Sequence, residues 1–335
     1  MTSPAALTGV IERFGGLRAL VIGDLMLDEY LVGEVERVSP EAPIPIVRLR
    51  ERDARLGGAA NVANNLQGLG ADVALCGLVG NDEAGQTLRG LCDSLGLRQN
   101  LLVGSATRRT TRKARVLSRG QQLLRVDTED TAETTEAERA ALTSCLERAF
   151  GKRDFDVVLF EDYDKGCLDA ELIATVVEAA RRSGAKTVVD PKHRNFWAYR
   201  DVDLLKPNLA ELSAALDDSA LVIDAPALDR AHARVQARLG HGRTLVTLGA
   251  AGAYLSRGGD AGLLAPTLAR SVVDVCGAGD SVAAAVALGL AAGASDAQLL
   301  HLANLAGALA CAHVGVWPLR RDALLQRARE ADAPV

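Results

Sequence analysis

The chain has 335 residues, with 38 Lys+Arg against 43 Asp+Glu, so its formal net charge is −5 at pH 7. With 48% hydrophobic and 24% charged residues, the composition is that of a globular protein and excludes wholesale disorder. The mild acidity argues against a nucleic-acid-binding surface, which usually carries a clustered basic excess. The length fits either two domains or one α/β domain with an appendage.

The cysteines and the N-terminus bear on the compartment. Six cysteines are scattered without a C-x-x-C pair, mostly inside apolar runs, and we expect reduced thiols; they are Cys76, Cys92, Cys145, Cys167, Cys276 and Cys311. The first residues lack the basic and apolar regions of a signal peptide, and no apolar run is long enough to span a bilayer. These features predict a cytoplasmic protein without a membrane partner.

Short apolar runs alternate with amphipathic ones along the chain. The predicted buried strands are Leu17–Gly23, Val73–Val79, Val157–Glu161, Thr187–Asp190, Leu204–Leu205 and Thr244–Leu248. The predicted helices are Gly58–Leu69, Glu83–Leu95, Glu136–Phe150, Asp169–Ser183, Leu228–Leu239, Ala278–Ala292, Asp296–His313 and Arg321–Arg329. This alternation indicates an α/β fold with a mostly parallel sheet covered by helices on both faces.

Two segments interrupt the alternation, at about residues 28–55 and 106–128. Both mix β-branched and charged residues without helical periodicity, and the second has Gly120 at a position suited to a hairpin turn. We expect both to form one small antiparallel sheet outside the main body. A one-layer sheet must cover its apolar face with a ligand cleft or another subunit. The sequence therefore predicts one domain over residues 1–335 with a lid that also serves as a dimer contact.

The strongest motif is the segment from Asp274 to Asp280, DVCGAGD, which follows the strand-like SVVDV and opens a helix. Backbone amides at such a helix start bind anions. Asp280, in the first turn, could accept a proton from an attacking hydroxyl while the amides stabilise a transferred phosphoryl group. A capping aspartate after a glycine turn accounts for the spacing alone equally well.

Two other phosphate-binding motifs are excluded. Val282 stands where a dinucleotide fingerprint needs its third glycine, and Gly151-Lys152 is followed by Arg153 rather than by Ser or Thr. The Gly277–Asp280 turn is therefore the predicted phosphate site.

A second cluster follows the first strand. Asp24 and Asp28 come at its carboxyl end, where open α/β sheets bind ligands, and Gly57, Gly58 and Asn61 open the next helix. Carboxylates and an amide there could hold sugar hydroxyls. Turn and cap chemistry is the alternative for each residue.

A third cluster follows two later strands. Lys192 comes after one of them, and Lys206-Pro-Asn208 follows the next and starts a helix. Asn208 with Glu211 fits a capping box. Glu211 could instead hold water on a magnesium ion, since Mg²⁺ usually keeps several waters.

Four segments, GGAANVANNL, KPNLAEL, VTLGAAGAY and DVCGAGDS, resemble motifs of the ribokinase-like (PfkB-type) sugar kinases and stand in the family's order. The resemblance implies a three-layer α/β/α fold with a β-sheet lid and ATP-dependent phosphorylation of a sugar with Mg²⁺. A monovalent cation such as K⁺ stays open, because Cys276 stands where the family usually has Thr.

The resemblance also implies roles for single residues. Asp280 matches the catalytic base, and the amides of Gly277, Ala278 and Gly279 match the anion hole. The matching ATP-binding residues are Asn208, Leu209, Ala210, Glu211 (near the metal, through water), Thr247, Gly249, Gly252 and Asn304. Lys192 is a further candidate for ATP binding. The matching sugar contacts are Asp24, Gly57, Gly58 and Asn61, whereas Asp28 is a candidate from its position after the first strand alone.

Within the family, GDLMLDEYLVGEVERVSPEAPIPIV, RVLSRGQQLLRVD, EDYDKGCL and VVDPK are most similar to the heptose-7-phosphate kinases. Lys206 departs from the Thr more usual there. A phosphorylated substrate needs cations, and the candidates for this subsite are Lys113, Arg115, Arg125, Lys165 and Lys192, whereas Arg119, beside the turn glycine, is the expected bystander. Asp162 is a further candidate substrate contact. Solvated edge-strand charge is the alternative for the lid residues. The expected partners are a phosphosugar, ATP and a second copy of the chain. A different sugar or nucleoside kinase, and an inactive binding protein, remain alternatives.

Overall fold

A computed structural model describes residues 4–152 and 154–331. Its strands are β1 (Arg18–Gly23), β2 (Leu25–Val38), β3 (Pro45–Gly58), β4 (Asp72–Gly80), β5 (Arg98–Ser105), β6 (Thr111–Ser118), β7 (Gln121–Thr128), β8 (Val157–Glu161), β9 (Lys186–Asp190), β10 (Leu204–Leu205), β11 (Arg243–Thr247), β12 (Ala253–Ser256) and β13 (Leu263–Ala265). Its α-helices are α1 (Pro4–Glu12), α2 (Ala59–Gly68), α3 (Glu83–Ser94), α4 (Glu136–Lys152), α5 (Ala170–Ser183), α6 (Leu209–Leu216), α7 (Ala225–Leu239), α8 (Ala278–Ala291), α9 (Asp296–Cys311) and α10 (Arg321–Ala331).

The main sheet has nine strands in the order β13-β12-β11-β10-β9-β8-β1-β4-β5. The strands from β11 to β5 are parallel to one another, and only the β11–β12 and β12–β13 pairs are antiparallel. The carboxyl ends of β1, β8, β9 and β10 therefore meet at one edge of the sheet, as the alternating pattern predicted.

Alternate side chains of the central strands enter two separate cores. Ala19 and Val21 pack with α1, α2, α3, α8, α9 and α10, whereas Leu20 and Ile22 pack with α4, α5, α6 and α7. Each core consists largely of fully buried aliphatic side chains. The result is the predicted three-layer α/β/α arrangement, because a strand buried on both faces needs a helix layer on each side.

The lid is a four-stranded sheet in the order β3-β2-β6-β7. The β2–β3 and β6–β7 pairs are antiparallel, but β2 and β6 are parallel, so the expectation of a wholly antiparallel sheet is wrong at that pair. The chain enters both β2 and β6 directly from the main body, which gives these strands the same direction. The first insert is also longer than expected, because Leu25 already pairs with Gly58.

One predicted strand is absent. The SVVDV segment is irregular, and its valines are largely exposed (Val272 61%, Val273 56%, Val275 66%). The amides of Val273 and Asp274 donate to the Cys311 carbonyl at the end of α9, so the segment crosses a helix end instead of pairing in a sheet. All six cysteines are unpaired, as expected. Across the described residues, every helix is too short or too polar to cross a bilayer.

Candidate active site

Asp280 lies in the first turn of α8 and is 4% exposed. Asn61 Nδ2 donates to its Oδ2 at 2.6 Å, and the Tyr163 hydroxyl donates to its Oδ1 at 2.7 Å. The carboxylate is thus fixed by residues from α2 and from the loop after β8, and not by amides of its own helix, which argues against a mere capping role. Sequence reasoning named Asn61 but missed Tyr163, two residues from the end of the predicted strand β8.

The electrostatics of Asp280 favour a proton-accepting role. Burial raises the pKa of Asp280, whereas the hydrogen bonds from Asn61 and Tyr163 lower it. A carboxylate whose pKa lies above its usual value accepts a proton more readily.

A second residue missed from the sequence, Asn65, holds this arrangement together. Its Nδ2 donates to the Asn61 carbonyl at 2.9 Å, while its Oδ1 accepts bonds from Ser281 Oγ at 3.2 Å and from the Leu319 amide at 2.8 Å. Asn65 is fully buried. It therefore ties α2, α8 and the approach to α10 together around the carboxylate.

The glycine turn before Asp280 has the geometry of an anion site, with one correction. Gly277 has φ 73°, and a Cβ there would lie 3.1 Å from Asn61 Nδ2, so both backbone conformation and space favour glycine. The Ala278 amide donates to the Val275 carbonyl at 3.2 Å and is not free, contrary to the prediction. Within the described chain, the amides of Gly277 and Gly279 have no protein acceptor and remain open to an anion.

Two lysines lie beside this turn, each paired with a carboxylate. Lys206 Nζ lies 2.8 Å from Asp190 Oδ2 and is nearly buried, while Lys192 Nζ lies 3.6 Å from Asp190 Oδ1 and also pairs with Glu211. A Cβ on Gly279 would lie 3.8 Å from Lys206 Nζ. Burial opposes ionisation of Asp190, but Lys206 and Lys192 together lower its pKa.

The start of α6 has the predicted capping box. Asn208 Oδ1 accepts from the Glu211 amide, and Glu211 Oε2 accepts from the Asn208 amide, both at 2.8 Å. Leu209 and Ala210 form the first turn between them. Because Lys192 already neutralises Glu211, this carboxylate fits a divalent ion held through water better than one bound directly.

The predicted nucleotide loop lies next to this helix start. Asn208 and Thr247 form a β-bridge, and the Thr247 amide donates to the Pro207 carbonyl at 3.1 Å. Gly252 has φ 103°, and a Cβ there would lie 2.1 Å from the Ala265 carbonyl oxygen; Gly249 also has a positive φ of 58°. Asn304 lies on α9 at 8% exposure, and its expected place beside the adenine stays a prediction.

On the lid, Arg115 forms an ion pair with Asp28, and its guanidinium lies 5.5 Å from the Tyr30 ring centroid. A Cβ on Gly57 would lie 2.3 Å from Asp28 Oδ2, so the close approach requires glycine. Gly58 has φ 54° and would place a Cβ 2.5 Å from the Asp24 carbonyl oxygen. The glycine pair therefore lets the lid join the main body at this point.

Asp24 fixes the loop that carries Tyr163. Its Oδ2 accepts the amides of Tyr163 and Lys165 at 2.8 and 3.0 Å, and its Oδ1 accepts the Cys167 amide at 3.0 Å. Burial and the charge of Asp162 raise the pKa of Asp24 to about 6, although the three amides lower it. Its predicted contact with a sugar hydroxyl stays a prediction.

Not every predicted site residue is free to contact a ligand. Asp162 is 1% exposed and accepts bonds from Asn195 Nδ2 and the Tyr199 hydroxyl; it is a structural acceptor, because it follows Glu161 and points to the opposite face of the sheet. The candidate phosphate-binding cations already have carboxylate partners: Lys113 and Arg125 on the lid pair with Asp127, and Lys165, in the loop after β8, pairs with Glu129.

The family described as pfkB family carbohydrate kinase matches residues 17–319. The chain belongs to this family. Among solved structures, Escherichia coli phosphofructokinase-2 in complex with potassium has a TM-score of 0.78 at 20% identity, over 95% of this chain and 100% of that one. Arabidopsis thaliana ribokinase complexed with ribose and ATP has a TM-score of 0.70 at 20% identity, over 94% and 99%. These two likenesses bear on the fold alone.

Several curated relatives of this pfkB-family chain are named bifunctional protein HldE. The protein of that name from Caulobacter vibrioides is 42% identical over 92% of this chain, and the one from Methylobacillus flagellatus is 40% identical over 92%. The matched regions cover 63% and 62% of those relatives, so the chain spans less than two thirds of their length. Membership in the family makes the chain a sugar kinase, a phosphotransferase with an alcohol acceptor that uses ATP and a divalent metal ion.

Proposed function

We propose that this kinase transfers the γ-phosphoryl group of ATP to the anomeric O1 of D-glycero-β-D-manno-heptose 7-phosphate, giving the 1,7-bisphosphate on the route to ADP-heptose and lipopolysaccharide. One observation carries the phosphoryl transfer: the oriented carboxylate of Asp280 beside the open amides of Gly277 and Gly279. The choice of heptose 7-phosphate is supported by the sequence segments most similar to those kinases and by the HldE relatives.

The mechanism follows from this geometry. An oxygen of Asp280 takes the proton of the sugar O1 hydroxyl as O1 forms its bond to the γ-phosphorus, and the bond from phosphorus to the bridging oxygen breaks, leaving its electron pair on ADP. The amides of Gly277 and Gly279 stabilise the negative charge on the moving phosphoryl oxygens. Lys206 Nζ lies close to Gly279, paired with Asp190, and a phosphate there would share the lysine with that carboxylate.

Metal ions have candidate positions in this site. Glu211 would hold Mg²⁺ through water, and the ion would neutralise phosphate charge. The candidate position for K⁺ is the segment before the glycine turn, where Asp274 Oδ1 and Oδ2 accept the amides of Cys276 and Gly315 at 3.1 and 2.8 Å. K⁺ near this turn would depend mainly on backbone carbonyl oxygens, since the Cys276 thiol is a soft ligand and K⁺ is a hard cation.

The substrate phosphate would be bound by lid cations. The strand register places Lys113 opposite Asp28 and Arg115 opposite Tyr30 on one face of the lid, with Arg125 opposite Arg115. Because each cation already pairs with a carboxylate, a phosphate must displace or share such a partner, and Arg115 can offer a bidentate contact. A substrate without phosphate would leave these pairs intact and gain nothing from them.

We also propose that the active form is a homodimer through the lid and that it resides in the cytoplasm. The lid face opposite Arg115 exposes apolar side chains, including Leu49 (51%), Leu124 (57%) and Val126 (46%). A second copy of the same sheet would cover them. The unpaired thiols support a reducing compartment.

A panel of acceptors in a coupled ADP-release assay tests the proposed substrate. We expect kcat/KM for heptose 7-phosphate to exceed that for free heptose by at least about 100-fold, because the free sugar lacks the group that the cations recognise. Fructose 6-phosphate, ribose and a nucleoside complete the panel. A higher kcat/KM for any of these acceptors would replace the heptose assignment while leaving the kinase chemistry in place.

A further inference from the structure

A row of four residues, one from each of four adjacent strands, stands at or just after the carboxyl ends of these strands. Gly23 of β1 pairs in register with Glu161 of β8, which pairs with Asp190 of β9, and the Lys206 amide, just after β10, donates to the Val189 carbonyl at 2.8 Å. Strand alternation turns Glu161, Asp190 and Lys206 to the α8 side of the sheet. The row therefore forms the floor beneath the turn that precedes Asp280.

Glu161 differs from the other acids of this floor. It is 0% exposed, and neither of its carboxyl oxygens has a hydrogen-bond partner within the described chain. Asp190 has Lys206 and Lys192, and Asp280 has Asn61 and Tyr163. An isolated carboxylate without a donor is costly to bury and takes up a proton instead.

The charged groups around Glu161 also favour its protonated form. Two further acids face it, Asp190 from β9 and Asp280 from α8, together with the Tyr163 hydroxyl; Lys192 and Lys206 supply the positive charge. The β1 side contributes Gly23, which carries no side chain. Burial and the two neighbouring carboxylates raise the pKa of Glu161 well above its usual value, against the lowering by the lysines.

We propose that Glu161 is a positioning residue that carries a proton in the resting protein, so that Asp280 is the carboxylate left ionised to take the proton of the acceptor hydroxyl. The role in turnover rests on the proposed function. With Glu161 neutral, Lys206 and Lys192 keep their positive charge for Asp190 and the incoming phosphates. An ionised Glu161 would add a negative charge under the anion turn and oppose the binding of ATP.

The proposal predicts that activity falls at alkaline pH as Glu161 loses its proton. We expect kcat/KM for ATP to fall about tenfold per pH unit once Glu161 ionises. Glu161→Gln is permanently neutral and nearly the same size, so it should keep kcat within about threefold at neutral pH and lack the Glu161-dependent alkaline fall. Superimposable pH profiles, or a loss of more than tenfold in folded Glu161→Gln at neutral pH, would overturn the positioning role.

Glu138→Gln is the matched control. Glu138 is also buried, but its carboxylate accepts bonds from Ser105 and Thr135 away from the site, and its pKa is lowered, because those bonds outweigh the cost of burial. Its variant should keep the wild-type pH profile. Should Glu161→Gln fail to fold, Glu161→Met offers a neutral side chain of similar length for the same comparison.

Infrared difference spectroscopy of wild type against Glu161→Gln at neutral pH reads the proton directly. We expect the C=O stretch of a protonated carboxylic acid in wild type and its loss in the variant. Carboxylate stretching bands in its place would overturn the proposal. This measurement needs no turnover, so it separates an error about Glu161 from an error about the substrate or the reaction.

Discussion

Tyr163 donates a hydrogen bond to the proposed base, and this bond has a measurable consequence. Because the bond stabilises the ionised carboxylate, Tyr163→Phe should raise the pKa of Asp280 and move the acid limb of kcat/KM to higher pH. A hydrogen bond to a charged group is worth about 1.5 kcal/mol, which corresponds to about one pH unit. The measurement is the pH dependence of kcat/KM for the acceptor.

Tyr199→Phe is the control for this prediction. Tyr199 is fully buried, whereas Tyr163 is half-buried, but it also donates to an aspartate, Asp162 on the other face of the sheet. Its variant should leave the acid limb in place. An acid limb that stays put in Tyr163→Phe, or moves equally in both variants, would mean that the Tyr163 hydroxyl does not tune Asp280.

At this scale the sequence located the motif residues but not their neighbours. Asp280 and Asn61 lie in recognisable motifs, and each stands three residues after a glycine with a positive φ, Gly277 and Gly58 respectively. Tyr163 donates to the Asp280 carboxylate although the two residues lie 117 positions apart in the chain. Asn65 acts one step further away, through its hydrogen bonds with Asn61 and Ser281. Such contacts depend on how strands and helices stack, which local patterns do not encode.

Among the elements, α7 and β11 are joined by two buried histidines. His232 Nδ1 and His241 Nε2 lie 2.8 and 2.6 Å from Thr244 Oγ1. Burial lowers both pKa values, that of His241 to about 4. At neutral pH the His241 ring is therefore neutral in the folded protein.

This cluster predicts acid sensitivity of the fold. Because the unfolded chain binds the His241 proton near pH 6.5, the stability that the neutral ring contributes is complete above that pH and is lost as the pH falls toward 4. Between pH 7 and pH 5 the free energy of unfolding should drop by about 2 kcal/mol from this residue alone.

Urea unfolding of wild type and His241→Gln at both pH values measures the effect. We expect the variant to lose most of the difference, while His193→Gln, at an exposed position, keeps it. An equal pH dependence in wild type and His241→Gln would rule out this role.

Elements with strong periodicity were predicted well, and irregular ones were not. The helices from α2 to α5 and from α8 to α10, and strands β1, β4 and β8 to β11, lie within a few residues of their predicted bounds. β5, β12 and β13, which were not predicted, lie at or near the edges of the sheet. β12 and β13 have only four and three residues, too few to show a periodic pattern. The prediction of a strand at SVVDV was wrong, because the β-branched residues of this segment lie on the surface and do not pair in a sheet.

For the whole molecule, the lid is continuous with the catalytic body. The chain passes from β1 through Asp24 straight into β2 and returns through Gly58 into α2, where the Ala59 amide donates to the Asp24 carbonyl at 3.0 Å. Arg55 of β3 also donates to the Val314 and Val316 carbonyls. Movement of the lid would therefore displace the loop of residues 314–316, whose Gly315 amide donates to Asp274.

The proposed dimer is tested on the apolar face of the lid. Light scattering should give the mass of two chains for wild type and of one chain for the double variant Leu124→Glu and Val126→Glu, because charge on that face opposes its burial. Val222→Glu, at an exposed apolar position away from the lid (54%), should remain dimeric. A one-chain mass for wild type, or an unchanged mass for the double variant, would contradict the proposal.

The most direct test of the central claim is the turnover of Asp280→Asn. The variant keeps the size of the side chain but cannot take the proton of the acceptor, so kcat should fall by at least about 100-fold. Calorimetric titration with ADP should show nucleotide affinity close to wild type, since the amides of Gly277 and Gly279 are untouched. A fall of less than tenfold in a folded variant would mean that Asp280 is not the base.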